Sequence, residues 1–594
     1  MSAVAKPSNS PEDMVFGHEP GLFLLFFTEM WERFSYYGMR ALLVLFLIGE
    51  IAGGGWGWSR KEALELYALY TGLVYLTPIL GGIVADKLLG YRNAVLLGAL
   101  LMTLGHAALA FETPTMFYTG LGLLIFGNGF FKPNISTIVG QLYMDKAEKK
   151  DAAYTIFYMG INAGAFLGIL LCGFVGEQIS WSFGFGLAGI FMLLGMIMFF
   201  LGQSIFGEIG KKGSMELLTK NSDEPDDEPA VVRDRLIVVG VLAFFTIFFW
   251  MAFEQAGGSL AIFAKDYTGR VLTGNAHMAF VITNTFLTIA PLAIVTWVLF
   301  KLCQKTYKRI PLSNIAIGIS FVLIWITAIF MLSRQFSSRS YEITYSVTTE
   351  VEVEGEEGKE SKVTDYVRTV NTVEDYKAGG EIFILDKDKK DGAGKLQVLS
   401  ADVADNYETK ISAVVKREKQ AETEVPASWF QILNSFFIIA FAPLFSKIWE
   451  SRFNPSASFK FALGLILLGL GFGAVAWGSA TIPKGAETAS VSLWWLVLAF
   501  LLHTLGELCL SPVGLSYVSK LAPARLVGVM FGVWFGATAV ANYLAGWTGS
   551  YIDDISGQIG LVGFFLIFTA IPIVIGLVLI AMGGWIKKMM HGIE

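Results

Sequence analysis

Followed for polarity alone, the chain is a succession of long apolar runs joined by short polar turns, with two longer polar interruptions. Runs long enough to cross a bilayer as helices, about 20 residues each, fall near 21–48, 63–85, 93–111, 116–142, 151–176, 182–206, 235–264, 276–300, 311–333, 428–446, 458–480, 492–518, 527–548 and 560–585. They predict fourteen membrane helices with both termini on one side. The first interruption, 207–234, is polar and acidic, with the composition of a flexible connector. The second, 334–426, changes its period. Tyr341, Ile343, Tyr345 and Val347 alternate with polar residues, as do Val351 and Val353, which is the spacing of strands. Shorter apolar bursts at 381–385 and 395–399 lie among Gly- and Asp-rich turns. The pattern predicts an all-α polytopic membrane protein with a small β-rich insert.

Composition agrees with that class. Hydrophobic residues make up 54% of the 594 positions and charged residues only 16%, with 64 Gly and 48 Phe, unlike an ordinary soluble domain. Residues 1–20 are polar and lack the apolar core of a signal peptide, so they read as a cytoplasmic tail. Loop cations supply the orientation. One face collects Lys87, Arg92, Lys146, Lys149, Lys150, Lys301, Lys305, Lys308, Arg309, Lys447, Arg452, Lys520, Arg525, Lys587 and Lys588. The opposite short loops hold Arg60, Lys61, Lys265, Arg270 and Lys484. Positive charge marks the inside, which predicts cytoplasmic termini, an extracytoplasmic insert and a cell-membrane location.

The insert carries the acidity. Between 337 and 427, 20 acidic residues stand against 13 basic ones, a net −7 where the whole chain is −6. The isoelectric point therefore describes the insert and not any path through the membrane. Asp386, Asp388 and Asp391 before Gly392 lack EF-hand spacing and read as a solvated turn. Cys172, Cys303 and Cys509 have no metal-ligand spacing, and no nucleotide-binding loop is present. Neither disulfide, metal, cofactor, ATP coupling nor a nucleic-acid partner is expected.

The chemistry concentrates where apolar runs carry charge. The 21–48 run contains Glu29, Glu32, Arg33 and Arg40. Each ionisable group at mid-membrane costs about 2.5–3.5 kcal/mol, so such groups face protein or water. Glu29, Arg33, Tyr36 and Arg40 recur at four, three and four residues and share a helical face, flanked by Glu32 and Tyr37. A carboxylate in a dry site resists ionisation, while an adjacent guanidinium favours it, so Arg33 changing partners would switch proton affinity. The same residues also suit a fixed ion pair holding helices together. Elsewhere Lys132 sits about ten residues inside its run, Trp250 and Glu254 lie one turn apart, and His503, Glu507 and Ser511 share a face at intervals of four. His503 reads as a packed, hydrogen-bonded side chain more readily than as a proton carrier.

Glu29-x-x-Glu32-Arg33-Phe34-x-Tyr36-Tyr37 resembles the first-helix signature of the proton-dependent oligopeptide transporter family, a branch of the major facilitator superfamily. Gly81 to Arg92 is similar to the superfamily's loop between helices two and three, in which Asp86 and Arg92 would latch the cytoplasmic side. Gly127 to Ser136, Phe157 to Gly164 and Leu505 to Pro512 match family stretches of helices four, five and ten. The resemblance implies two six-helix bundles around a central cavity, here with two extra helices. Glu29, Glu32 and Arg33 would couple protons. Tyr36, Tyr37, Arg40, Tyr75, Lys132, Asn162, Trp250, Glu254, Asn434, Glu507, Ser511 and Trp534 would line or bind substrate. Arg40 with Glu254 and Lys132 with Glu507 would form gating salt bridges. Animal relatives carry a helix-two histidine; none stands here, so coupling would rest on carboxylates.

Two interior asparagines compete for the family's helix eight, Asn284 and Asn434; Gln431-Ile-Leu433-Asn434 fits its pattern. The choice divides the chain into a tail (1–20), a first bundle (21–206), a linker (207–234), the first helix of a second bundle (235–265), two extra helices (276–333), the insert (334–426) and the remaining second bundle (428–588). Extra helices and insert together between helices seven and eight depart from the family pattern. The implied activity is proton-coupled import of di- and tripeptides by a monomer in the lipid bilayer, and not an enzyme. Two alternatives stand beside it: a proton-coupled carrier of nitrate or another small anion, and a membrane-anchored sensor acting through the insert.

Overall fold

Local signals set the ends of the helices. The computed structural model describes residues 13–144, 146–213, 228–352, 359–386, 396–399, 404, 410–450, 455–523 and 526–593. Residues 1–12, linker positions 214–227, Val353, the Asp388–Asp391–Gly392 turn, Arg452 and Arg525 lie outside these described residues. The long helices are α1 (Pro20–Leu47), α2 (Arg60–Val84), α3 (Tyr91–Leu109), α4 (Pro114–Leu142), α5 (Ala147–Gln178), α6 (Trp181–Gly202) and α7 (Pro229–Phe253). After them come α8 (Gly274–Thr306), α9 (Pro311–Phe336), α10 (Ile432–Glu450), α11 (Ala457–Gly478), α12 (Trp494–Leu521), α13 (Val527–Gly549) and α14 (Ile552–Met589). Proline opens α1, α4, α7 and α9, where its missing N–H is no loss. Ser59 and Glu62 form a reciprocal capping box at the start of α2. Among the described residues twelve helices are long and apolar enough to span a membrane. The other two, α1 and α4, are diluted by polar residues: Glu29, Glu32, Arg33 and Arg40 in α1, and Asn128, Lys132, Asn134 and Gln141 in α4.

Helices α1–α6 pack as one bundle, and α7 with α10–α14 as the other. Small residues bring the backbones together. A Cβ at Gly164 or Gly168 of α5 would collide with the carbonyl of Met30 or Phe34 in α1, and one at Gly81 of α2 with Gly129 of α4. Almost every residue of α1 is buried, charges included. The hairpin α8–α9 interrupts the second bundle in sequence yet packs on the first. Ser313 donates to the Met198 carbonyl at 2.8 Å, and Phe321 meets Phe27 and Trp31 edge-on at 5.6 Å.

The two described ends of the chain lie on one side, the terminal side. His18 bonds Tyr143 near the end of α4 at 3.0 Å, and His591 bonds Asp234 at the start of α7 at 3.0 Å. The insert lies on the other side. It is an antiparallel sheet of β1 (Arg339–Glu352), β2 (Lys359–Thr372), β3 (Glu381–Asp386), β4 (Leu396–Leu399) and β5 (Ile411–Lys419), in the order β2-β1-β5-β3-β4. Tyr341, Ile343 and Tyr345 point to the buried face, as the period of two predicts, and meet Val370, Ile384 and Val415 there. The strands β2 and β5 escape that pattern because their outward faces also carry apolar residues: Val363 and Val367 in β2 and Val414 in β5 are exposed. Val271–Thr273 pairs with Glu422–Glu424 and ties the insert to the bundles.

Three boundaries differ from expectation. The linker does not begin as a free connector at 207: residues 203–210 fold back under the first bundle, with Gly210 N–H donating to Gln141 at 2.9 Å, and α7 starts at Pro229. The predicted 235–265 helix breaks after Phe253 into a short 3-10 turn (Glu254–Gly257) and further helical turns, because Gly258 takes a non-helical backbone. Finally, α14 starts before 560 and bends at Gly560, whose φ of 77° favours glycine.

Candidate functional site

The α1 face holds the cluster that its spacing predicts. Arg33 donates through Nη2 to Glu32 at 2.6 Å and through Nε to the other Glu32 oxygen, and the same Nε lies 3.3 Å from Glu29. Asn128 of α4 donates to Glu32 at 3.2 Å. The guanidinium lies over the rings of Tyr36 and Tyr37, at 5.1 and 5.9 Å. One cation therefore serves two buried carboxylates, and Glu29 Oε2 has no hydrogen-bond partner among the described residues. Removing either partner from a buried pair leaves a charge without compensation, so the cluster can exist in more than one state only if something replaces the lost charge.

Two turns further on, Arg40 donates to the Tyr67 hydroxyl at 2.9 Å and to Glu254, across the bundle boundary. The break after Phe253 puts Glu254 at the end of α7, facing α1. Trp250, half-buried, stacks edge-on with Phe249 and Phe253 at 5.3 and 5.2 Å. The other expected bridge is not formed. Lys132 Nζ lies over the Tyr75 ring at 4.3 Å, and Glu507 instead accepts from Asn434 at 2.8 Å. Lys132 makes no ion pair among the described residues, so each of the two charges is held within its own bundle.

The remaining expected residues are distributed over both bundles. Asn434 also reaches Thr504 at 3.2 Å, whereas Asn284 bonds Gln335 within the α8–α9 hairpin at 2.8 Å. Asn162 donates to the Tyr158 carbonyl one turn back at 3.0 Å, and Tyr158 itself is 43% exposed. Ser511 Oγ is buried without a partner among the described residues. Trp534 is buried against Phe461 and fills the space left by Gly514. His503 packs on Phe472 at 4.6 Å, with the Leu468 backbone beside its ring. Asp86 accepts from Tyr91, while Arg92 donates to the carbonyls of Gly207 at 2.7 Å and Gln203 at 3.3 Å. That arrangement ties α3 to the end of α6 inside one bundle.

Several partners were not singled out from the sequence. Tyr67 and Asn128 are ordinary helix residues until α2 and α4 are packed on α1. Arg60 of α2 bonds Asp266 at 2.7 Å, Asp553 at 2.8 Å and the Glu487 carbonyl at 3.0 Å, clamping the second bundle on the insert side. Glu177, at the end of α5, accepts from the backbone N–H groups of Ala427 and Ser428 at 2.8 and 2.9 Å, at the start of the 3-10 helix (Ala427–Gln431) that leads into α10. The N-terminal N–H groups of a helix lack internal partners, and here the opposite bundle supplies one.

A profile of the POT family matches residues 92–222 and 409–565. The uncharacterized transporter YclF of Bacillus subtilis (strain 168) is 32% identical over 591 residues, 98% of this chain and 97% of its own. A di-/tripeptide transporter of Lactococcus lactis subsp. cremoris is 29% identical over 601 residues, 99% of each chain. Among solved structures, a peptide transporter POT in complex with sulfate superposes with a TM-score of 0.65 at 25% identity, over 99% of this chain and 98% of that one.

Proposed function

The chain belongs to the POT family of transporters, and from that premise we propose that it imports di- and tripeptides together with protons by alternating access. The observation that carries the reading is the Arg40–Glu254 ion pair. It joins the two bundles on the insert side, while Lys132 and Glu507 are not joined to each other and each is held inside its own bundle. A set of buried cations and carboxylates contributed by both bundles suits a zwitterion better than a simple anion. In the proposed complex Lys132 and Arg40 take the peptide carboxylate; Glu254, with Asn162 and Asn434, faces the ammonium end. Tyr36, Tyr37, Tyr75, Trp250, Glu507, Ser511 and Trp534 line the same path.

Glu32 and Glu29 are assigned the proton. A proton arriving on Glu32 frees Arg33, which already stands 3.3 Å from Glu29, to shift its charge there. Peptide binding at Lys132 and Arg40 would then compete for Arg40 and loosen the Arg40–Glu254 closure. The insert side is assigned to the exterior and the termini to the cytoplasm, in keeping with the loop cations. Each inward proton gains about 2.3 kcal/mol per 100 mV, enough to drive uptake. The transporter is read as a monomer, and Asp86 and Arg92 as the brace of its cytoplasmic side.

The test is uptake of a labelled dipeptide into proteoliposomes under an imposed proton gradient. Wild type should accumulate peptide, Glu32→Gln should lose gradient-driven accumulation, and Lys132→Ala should lose uptake. No uptake of any dipeptide by the wild type would remove peptides as the substrate; accumulation by Glu32→Gln equal to wild type would remove Glu32 from proton coupling.

A further inference from the structure

A cavity of about 670 Å³ lies on the insert side, between the sheet and the ends of the bundles, and the transport cycle above does not use it. Its size falls within the range of small-molecule sites, roughly 300–1,000 Å³. Its wall is shared by all three parts of the molecule: residues 45–53 and 174–181 of the first bundle, 265–271 after α7, and 334–338, 368–373 and 422–426 from the insert and its roots. Most charges on this wall are matched locally. Lys265 stands 3.5 Å from Asp266, and Arg270 stands 2.8 Å from Glu424. Two have neither an ion pair nor a side-chain hydrogen bond among the described residues: Glu50, three residues beyond α1, and Arg334, at the end of α9, whose guanidinium lies only over the Phe330 ring at 5.7 Å. One unmatched anion and one unmatched cation thus face a concave space that focuses their fields.

We propose that this cavity is a waiting site for a zwitterionic peptide, with Glu50 receiving its ammonium and Arg334 its carboxylate, filled while the Arg40–Glu254 pair is still closed. The proposal rests on the peptide-import reading and adds a site to it. Because Gly49 and Glu50 follow directly on the α1 helix that bears Arg40, a peptide held here is already at the seam that must part. The site exists on one side of the membrane only, so its effect must be one-sided.

The experiment measures initial rates of labelled dialanine transport in both directions through sidedness-controlled proteoliposomes, for wild type, Glu50→Gln, Arg334→Gln and the charge-exchanged double variant Glu50→Arg/Arg334→Glu. Each single variant should raise KM for transport from the insert side about fivefold, the scale of a partly exposed charge contact. The turnover at saturation and KM from the terminal side should stay the same, and the double variant should recover most of the lost affinity. An unchanged insert-side KM, or equal rises on both sides, would overturn the waiting site while leaving peptide transport standing. A wild type that moves no dialanine would overturn both.

Discussion

The boundary between the two bundles has two halves built on opposite principles. On the insert side charged groups are paired across the seam: Arg40 with Glu254, Arg60 with Asp266 and Asp553, and Glu177 with the first N–H groups of the 3-10 turn leading into α10. Backbones also touch there. A Cβ at Gly546 of α13 would run into Ala68 of α2, and the Thr71 hydroxyl of α2 donates to the Asn542 carbonyl of α13 at 3.4 Å. In the terminal-side half Lys132 rests on a tyrosine ring and Glu507 on an asparagine, each inside its own bundle. The contrast shows how a seam can be held and still be releasable. Buried ion pairs contribute little net stability but are expensive to break singly, so they suit a closure that opens only when a ligand supplies the replacement charge.

The largest effect should come from breaking the most buried cross-seam pair. Glu254→Gln leaves Arg40 buried without its carboxylate, a loss of about 3–5 kcal/mol for such a pair. Spin labels on the insert-side ends of α2 and α13 should then report a population with the seam parted; an unaltered distance distribution would mean that Arg40–Glu254 does not hold this half closed. Glu177→Ala removes the acceptor of two backbone N–H groups and of the Ser428 hydroxyl, and about 1–3 kcal/mol is expected for donors left unmet. The same labels should show a smaller shift in the same direction, and labels moved to α5 and α10 a larger one. The smallest effect should come from Lys61, 3.7 Å from Asp554, with both side chains about half exposed. Lys61→Ala should change the opening equilibrium by no more than about 1 kcal/mol. A shift as large as that of Glu254→Gln would show that the seam is governed by overall charge and not by burial.

Much of this architecture is legible in the sequence alone. The fourteen apolar runs became the fourteen long helices, and the face carrying Glu29, Arg33, Tyr36 and Arg40 is one connected, buried row. The alternation from Tyr341 to Tyr345 foretold a strand with one buried face. Other features were hidden. In β2 the apolar Val363 and Val367 are exposed while Val370 is buried, so no clean alternation marked the strand. The break after Phe253 was masked because Glu254-Gln-Ala-Gly-Gly follows a continuous apolar stretch and is itself mostly buried.

The sequence by itself determined which segments must enter the membrane and which charges within them needed partners, since both follow from the local cost of placing polar groups in hydrocarbon. It did not determine who the partners are. Lys132 meets Tyr75 in place of Glu507, Glu507 meets Asn434, and Glu177 meets residues 427 and 428 some 250 positions away. The α8–α9 hairpin, inserted in the second bundle, packs on the first. Those choices belong to the tertiary structure, because each depends on which helix faces come together and on how the two bundles are tilted when they meet.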